Sequence, residues 1–161
     1  MTQQAAVEIR RYRTGDLDGA MALAPRLTEW VPAWRDTGAV LAAVQGWVSG
    51  SARAAGDADR ACYVAVADGQ VVGLVGVCEQ AHFSGQVDAY LGELVVARCW
   101  EGRGIGSRLM RAAENWAAAR GLPFICLDTG ADNGPARALY TSLGYVVESV
   151  RLTKPTPLHQ P

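Results

Sequence analysis

The apolar and polar positions of the N-terminal half predict strands in antiparallel order. Alternation over residues 7–10 is typical of a half-buried strand. Asp68 and Gly69 separate two apolar runs and predict a tight hairpin, because both central residues of such a turn need positive φ. Apolar runs bounded by turn residues predict three further strands, over residues 62–67, 71–78 and 90–97.

Helical spacing of apolar residues predicts two helices in the same half. Thr14 is expected to cap the first helix, and the second begins near Asp36. Residues 50–59 are small, polar and glycine-containing, which indicates a loop.

The second half contains a strand–helix–strand unit. A glycine-rich turn follows the strand at 90–97 and leads into an amphipathic helix over about residues 104–120, which ends at Gly121. Residues 124–127 are wholly apolar, as in a strand covered on both faces. We therefore expect a parallel strand pair joined by a right-handed crossover.

A last helix, a last strand and a tail complete the predicted elements. Asp132 or Asn133 would cap the helix, and Gly144 would close it. Residues 145–152 predict the final strand. Three prolines in residues 154–161 indicate a loose tail.

Composition narrows the range of functions. The chain has 161 residues, half of them apolar, which suits one globular domain. Its 15 basic and 16 acidic side chains give a net charge of −1. With no basic tail, this argues against a general nucleic-acid or anionic-membrane binder. No segment has the length of a membrane span and residues 1–13 lack a signal-peptide core, so we expect a cytoplasmic protein.

The cysteines predict neither a disulfide framework nor a metal site. They form no C-x-x-C pair, and no histidine lies at metal-ligand spacing. In a reducing compartment we expect them to be small apolar residues, buried or half-buried. The four positions are Cys62, Cys78, Cys99 and Cys126.

The first candidate for chemistry is the turn Glu101-Gly102-Arg103-Gly104-Ile105-Gly106-Ser107. Glycines let the backbone approach a ligand closely, and the N–H groups at a helix start attract an anion. The glycine spacing does not fit a dinucleotide fingerprint, and the lack of a lysine excludes a P-loop. The alternative is a tight structural turn without a ligand.

The second candidate is the pattern N-x-x-A-x-x-x-Y-x-x-x-G-Y at residues 133–145. Ala136 and Tyr140 lie on one face of the predicted helix. A tyrosine on an apolar stripe is usually a core residue whose hydroxyl binds a backbone group, and this alternative stays open for Tyr140.

Together, these two segments resemble the GNAT superfamily of N-acetyltransferases. The resemblance rests on residues 90–145, which hold the strand Glu93-Leu94-Val95-Val96, a turn of the R/Q-x-x-G-x-G/A type and the asparagine–tyrosine pattern. Two departures stand out. Glu101 occupies the place where the family usually has Arg or Gln. Members also commonly have two strands after the last helix, whereas this chain predicts one.

The resemblance implies an α/β (α+β) fold in a single domain over residues 1–161. A mixed, twisted sheet of about six strands would carry helices on both faces, with a central parallel pair splayed to admit acetyl-CoA. Residues 14–56 would cover the acceptor side, and residues 90–145 would form the core that binds acetyl-CoA.

The resemblance also implies how acetyl-CoA is held, as a cosubstrate and without a metal. Main-chain groups of two strand residues would pair with the pantetheine arm, as an added strand does. N–H groups of the turn would hold the pyrophosphate. The positions so assigned are Val95, Val96, Gly102, Arg103, Gly104, Gly106, Ser107, Asn133 and Ala136.

The implied reaction is direct attack of an amine on the thioester in a ternary complex. An alkylammonium has a pKa of about 10, so a base must remove its proton. Glu93 matches the strand position of the family's base, and Tyr140 matches its usual general acid for the leaving thiolate. The alternative for Glu93 is a solvated strand residue with a cross-strand partner.

A primary amine of a small molecule is the expected acceptor. Glu29, Trp30 and Trp34 would form an acidic and aromatic wall for a cation, and His82 would line the pocket from the 81–87 connection. The alternatives are that the tryptophans are packing residues and that His82 is an exposed loop residue.

Two other functions stay open. A protein or peptide N-acetyltransferase, including the kind that modifies ribosomal proteins, would need an open groove. A sensor or accessory subunit would bind acyl-CoA without catalysis. The final strand also leaves a possible open sheet edge, which is compatible with a homodimer.

Overall fold

The described part of the computed structural model, residues 6–156, folds into one sheet with helices on both faces. Its strands are β1 (Val7–Arg11), β2 (Arg60–Ala67), β3 (Gln70–Ala81), β4 (Val87–Val96) and β5 (Ile125–Leu127). Its helices are α1 (Leu17–Leu23), α2 (Thr37–Arg53), α3 (Ile105–Ala119) and α4 (Gly134–Ser142).

The sheet follows chain order, β1-β2-β3-β4-β5. The first four strands are antiparallel, and β4 and β5 are parallel, which confirms the predicted strand–helix–strand unit. Asp68 and Gly69 have φ of 48° and 77°, which confirms the predicted hairpin turn between β2 and β3.

A register shift in the β3–β4 ladder orients the second half of β4. Gly76 pairs with Glu93, and Val77 pairs with Leu91, so Gly92 is an extra residue on β4. Such a bulge turns the following side chains to a new face. It leaves Val95 in the core beneath α1 and α2, while Leu91 belongs to the core beneath α3.

Two apolar cores lie on opposite faces of the sheet. The larger core packs α3 against the sheet through Leu109, Met110 and Trp116. The smaller core joins α1 and α2 to the other face, with Val48 and Leu74 fully buried in it. The helices predicted on both faces are therefore confirmed, and α1 and α2 come from the 14–56 region.

The predicted helix starts are right for α2 and wrong for α1. Asp36 caps α2 by accepting a hydrogen bond from the Ala39 N–H at 2.7 Å. Thr14 instead lies inside a short 3₁₀ turn that precedes α1. Asp16 holds this turn, because its carboxylate accepts from the Arg13 N–H and from the Arg10 guanidinium, both at 2.7 Å. Helix α2 also continues to Arg53, inside the predicted 50–59 loop.

The C-terminal end departs most from prediction. Residues 145–152 form no strand, so the described sheet has five strands rather than about six, and its parallel pair lies at an edge rather than in the centre. Strand β5 has only three residues, which offers a partner few ladder positions. Tyr145 is instead tied to α3 by a hydrogen bond from its hydroxyl to Glu114 at 3.2 Å.

Exposure at this edge is correspondingly high. Val146 and Leu152 are 88% and 90% exposed, and Phe124, next to β5, is 61% exposed. The expectation that residues 124–127 are covered on both faces is therefore wrong. The predicted tail, residues 154–161, lies partly outside the described residues. None of the helices in residues 6–156 has the length and apolar character of a membrane-spanning segment.

Candidate active site

The parallel pair opens at its carboxyl end. The β4–β5 ladder joins Ala89 to Ile125 and ends where Leu91 meets Leu127. Strand β4 continues to Val96 with β3 alone as its partner. Beyond the last pair, the β5 side of β4 is therefore an open edge. In open α/β sheets, ligands bind beyond the carboxyl ends of the strands, where such crevices form.

The glycine turn after β4 has the backbone that an anion cradle needs. Gly102 and Gly104 have φ of 69° and 72°, and open space lies where a β-carbon would stand at either position. Gly104 precedes α3, so the N–H groups of Gly106 and Ser107 in the first helical turn have no helical acceptor. This geometry fits the predicted pyrophosphate cradle.

The arginines near this turn differ in their partners. Arg98 pairs with Glu29 at 2.7 Å, and Arg108 donates to the Val7 carbonyl at 2.8 Å. Arg103 stacks over the Trp100 ring at 4.6 Å and forms no salt bridge within the described chain. Arg103 and Arg108 therefore have no carboxylate partner among the described residues, and Arg103 lies within the turn itself.

Glu101 is neutralised by an arginine from the acceptor side. Arg26 contacts its carboxylate at 2.7 Å and also bonds Glu29 and the Val96 carbonyl. The Arg26 guanidinium also holds the pKa of Glu29 below its usual range. The carboxylate that departs from the family pattern is therefore part of an alternating charge network, and it is about half exposed to solvent.

Glu93 lies at the bulge of β4 and is buried, with 5% of its surface exposed. Its Oε1 accepts no hydrogen bond from any described residue. Burial raises the pKa of the Glu93 carboxyl, and the neighbouring Ser51 hydroxyl partly opposes that shift. A buried carboxyl without a cation is costly when ionised, so Glu93 is a candidate for contact with a ligand that supplies charge or takes a proton.

Glu93 lines a cavity of about 460 Å³ between α2 and the sheet. Glycines shape this space. A β-carbon on Gly76 would lie 2.8 Å from Ser51 Oγ and 2.9 Å from Glu93 Oε1, so any other residue here would displace the hydroxyl or the carboxyl. The remaining lining residues are Gly46, Trp47, Gly50, Arg60, Ala61, Val77, Cys78, Tyr90 and Gly92.

Tyr140 belongs to α4, and Asn133 is the residue at the N-cap of that helix. The Tyr140 ring packs on the α3 core and lies 5.9 Å from the Tyr145 ring, and burial raises its pKa. Asn133 caps α4 by accepting from the Ala136 N–H at 3.2 Å. Neither Tyr140 nor Asn133 lines the Glu93 cavity, so Glu93 and Tyr140, the two predicted catalytic residues, lie on opposite faces of the sheet.

The residues predicted to bind the acceptor lie outside this cavity. Glu29 is engaged by Arg26 and Arg98, and Trp34 is exposed. Trp30 is partly exposed, with its carbonyl close to Gly130. His82 stacks on Phe83 at 4.1 Å in the β3–β4 turn. Their role in acceptor binding stays a prediction.

The cavity walls come instead from residues that no motif marked. Trp47 and Ser51 belong to α2, while Cys78 and Tyr90 pair with each other across β3 and β4. The bulge at Gly92 is set by tertiary pairing, so sequence offered no local signal for it. One sequence feature could have indicated the cavity: Gly46 and Gly50 are spaced four apart on one face of α2. In the structure, open space lies where a β-carbon would stand at either glycine.

The cysteines differ in burial. Cys62 is buried, and burial raises its pKa to about 12. Cys99 is exposed, which corrects the expectation that all four are buried or half-buried. Within residues 6–156, no group of His, Cys, Asp and Glu has the arrangement of a metal site.

Known proteins resemble this chain in sequence. A family model for the acetyltransferase (GNAT) family matches residues 10–145. Streptothricin acetyltransferase of Escherichia coli is 31% identical over 96 residues, which are 60% of this chain and 53% of that protein. The chain spans about half the length of the curated relatives that it matches.

Solved structures share the fold at lower identity. Aminoglycoside N-acetyltransferase AAC(6')-Iy in complex with CoA has a TM-score of 0.70 at 17% identity, over 98% of this chain and 99% of that one. PaiA N-acetyltransferase from Thermoplasma acidophilum in complex with coenzyme A has a TM-score of 0.75 at 20% identity, over 91% and 93%. The family match covers the glycine turn, the open end of β4 and the asparagine–tyrosine pattern, and the chain therefore belongs to the GNAT family of acetyltransferases.

Proposed function

We propose that this protein transfers an acetyl group from acetyl-CoA to a primary amine of a small molecule. The observation that carries the proposal is Glu93. It is a buried carboxyl without a hydrogen-bond partner at Oε1, it lines a cavity, and it stands at the open end of the parallel pair.

The open edge and the glycine turn fit acetyl-CoA. Main-chain groups of Val95 and Val96 would receive the pantetheine arm, and the N–H groups from Gly102 to Ser107 would bind the pyrophosphate. Arg26 now bonds the Val96 carbonyl, so pantetheine pairing at that carbonyl requires Arg26 to release it. Arg103 supplies positive charge next to the turn.

The proposed reaction uses Glu93 as the base and Tyr140 as the acid. Glu93 takes a proton from the acceptor ammonium, and the neutral nitrogen attacks the thioester carbonyl carbon. The new C–N bond forms as the C–S bond breaks, and the attached nitrogen then loses its second proton to solvent, which leaves the neutral amide. Tyr140 donates its phenolic proton to the departing thiolate and regains a proton from solvent. Burial keeps Tyr140 protonated at neutral pH, as a proton donor must be.

The cavity supports a small acceptor. A volume of about 460 Å³ falls in the range of small-molecule sites, which hold about 300–1,000 Å³. The aromatic rings of Trp47 and Tyr90 suit contact with an ammonium group or with the apolar part of the acceptor. Relatives named for streptothricin and aminoglycoside acetylation act on compounds of this kind.

The test combines a thermal-shift titration with a rate assay. Acetyl-CoA at about 100 times its dissociation constant should add about 2.7 kcal/mol to stability, with coenzyme A and adenosine diphosphate as controls. An amine panel read by thiol release should then show turnover. Turnover with peptide amines alone would indicate a protein N-acetyltransferase. A thermal shift without turnover on any amine would indicate a sensor, and no shift would reject the proposal.

A further inference from the structure

Residues 24–30, which we call the strap, cross the opening of the parallel pair. The strap begins as a short 3₁₀ helix, and its Leu27 packs in the same core as Val95 of β4. At its far end, a β-carbon on Gly130 would lie 2.8 Å from the Trp30 carbonyl oxygen. Gly130 lies in the loop that joins β5 to α4, so the strap contacts both sides of the opening.

Arg26 of the strap binds the backbone of β4. The Ala97 N–H donates to the Val72 carbonyl of β3 at 2.8 Å. Backbone groups of successive residues point to alternate sides of a strand, so the Val96 carbonyl points away from β3 and towards the opening. Arg26 donates a hydrogen bond to this carbonyl. The acceptor that the pantetheine arm would use at that point is therefore occupied by a side chain of the protein itself.

Two carboxylates hold the same guanidinium in place. It lies 2.7 Å from Glu101, the first residue of the glycine turn, and 3.1 Å from Glu29. The Arg26 side chain is 21% exposed, so most of it is covered by the strap and by β4. A charged donor fixed in this way competes strongly with a neutral amide for a carbonyl. The pantetheine arm is uncharged, so it would have to displace Arg26 by hydrogen bonds alone.

A diphosphate in the glycine turn would change this competition. Glu101 directly precedes Gly102, so an anion held by the N–H groups of the turn lies beside the pair of Arg26 and Glu101. The anion repels the Glu101 carboxylate and attracts the guanidinium, which binds phosphate oxygens in a bidentate manner. The anionic end of acetyl-CoA would therefore draw Arg26 away from Val96 and free the carbonyl for the uncharged arm.

We propose that Arg26 is a specificity-determining residue for the acyl donor: it occupies the Val96 carbonyl until a diphosphate reaches the glycine turn, so that thioesters without a diphosphate bind poorly. This inference rests on the proposed function and concerns its donor site. Acetyl-CoA brings the diphosphate with it. S-acetylpantetheine has the same thioester and the same arm without any phosphate, and it leaves Arg26 on the carbonyl.

The test compares acetyl-CoA with S-acetylpantetheine as donors, with the best amine of the panel as acceptor. Arg26→Met should raise kcat/KM for S-acetylpantetheine by about five- to tenfold, because the arm no longer competes with a charged donor. It should leave kcat/KM for acetyl-CoA unchanged or lower it, because the diphosphate loses an arginine. Arg26→Lys keeps the charge without the planar fork, and it should give a smaller change in the same direction.

Arg98→Met is the matched control. Arg98 belongs to the same charge network through Glu29, at 2.7 Å, but its bond goes to that carboxylate and not to Val96. It should leave kcat/KM for S-acetylpantetheine within about twofold of wild type.

Thermal unfolding shows whether each variant folds, and Arg26→Lys decides the matter if Arg26→Met does not. No gain with S-acetylpantetheine in a folded Arg26 variant would overturn the inference, as would an equal gain in Arg98→Met. Acetyl transfer from acetyl-CoA would stand in both cases. Absence of turnover with acetyl-CoA on every amine would reject the proposed function and this inference together.

Discussion

Glu93 and Glu101 stand eight positions apart in the chain, on either side of the point where β4 ends, and the fold treats them in opposite ways. Glu101 is half exposed and held by Arg26. Glu93 is buried, and no described basic group pairs with it. An exposed, paired carboxylate costs little and ties two segments together. A buried carboxylate without a cation is destabilising, and such groups are candidates for functional sites.

The comparison also separates two regions by function. The network of Arg26, Glu29, Arg98 and Glu101 joins the segment after α1 to the start of the glycine turn. Its two arginines and two glutamates balance each other's charge, and their contacts hold the two segments together. The Glu93 carboxyl has no charge partner among the described residues, and this is why we place the acceptor in its cavity.

The largest expected effect is on the rate of Glu93→Gln. Glutamine keeps the shape and removes the base, so turnover should fall by about 10²–10⁴-fold. Binding of acetyl-CoA should persist, because the glycine turn is untouched. Steady-state rates of thiol release and a thermal-shift titration check both statements. A variant that keeps full turnover would remove Glu93 from the reaction.

A methyl group added to the cavity wall should lower kcat/KM for bulky acceptors more than for small ones. Gly50→Ala places a β-carbon where no atom lies within 4 Å, so folding meets no clash. Bulky amines should lose about tenfold in kcat/KM, the usual cost of one methyl group in a pocket, whereas small amines lose little. The helix itself should gain up to about 1 kcal/mol.

Gly38→Ala is the matched control for that substitution. It lies on the same helix outside the cavity, with an ordinary contact of 3.5 Å to Asp36. We expect it to leave every acceptor unchanged. If Gly50→Ala and Gly38→Ala behave alike on bulky amines, the space between α2 and the sheet is not the acceptor site.

Much of this account was accessible from sequence, where the signal is local. Asp68 and Gly69 gave the hairpin, and Gly102 and Gly104 marked the turn, because positive φ favours particular residues at single positions. The bulge at Gly92 and the walls formed by Trp47 and Tyr90 depend on which strands and helices meet. Sequence alone could not place them.

The missing final strand has the same cause. Residues 145–152 are apolar enough for a strand, but a strand exists only where a neighbour offers backbone partners. The three residues of β5 offer few, and Tyr145 bonds to Glu114 of α3 instead. The strand preference of residues 145–152 was therefore not sufficient, because the neighbouring strand is too short to pair with them.

Glu93→Gln should raise the stability of the fold although it lowers activity, and the gain in stability should be present only at higher pH. Burial raises the folded-state pKa of Glu93 above its unfolded value. Its ionisation therefore costs no stability below the unfolded pKa and destabilises the fold as pH rises through the folded pKa. The variant should melt higher than wild type at about pH 8 and equally at about pH 4, with about 2–4 °C for each kcal/mol gained.

The smallest expected effect is that of Glu101→Gln. The Glu101 side of its ion pair is about half exposed, so stability should change by less than about 1 kcal/mol. Removing a negative charge beside the pyrophosphate cradle should tighten acetyl-CoA binding by about two- to threefold, with less effect at high salt. Isothermal titration at two salt concentrations measures it, and weaker binding would show that Glu101 itself contacts the cosubstrate.

The central claim is that the Glu93 carboxyl is held without a cation until an acceptor amine arrives. An NMR titration of its ¹³Cδ resonance, assigned by comparison with Glu93→Gln, tests this claim most directly. We predict a pKa above the ordinary glutamate value of about 4.3 in the free protein, and a fall when a saturating acceptor amine supplies the missing charge. An ordinary or lower pKa that ignores the amine would contradict the account.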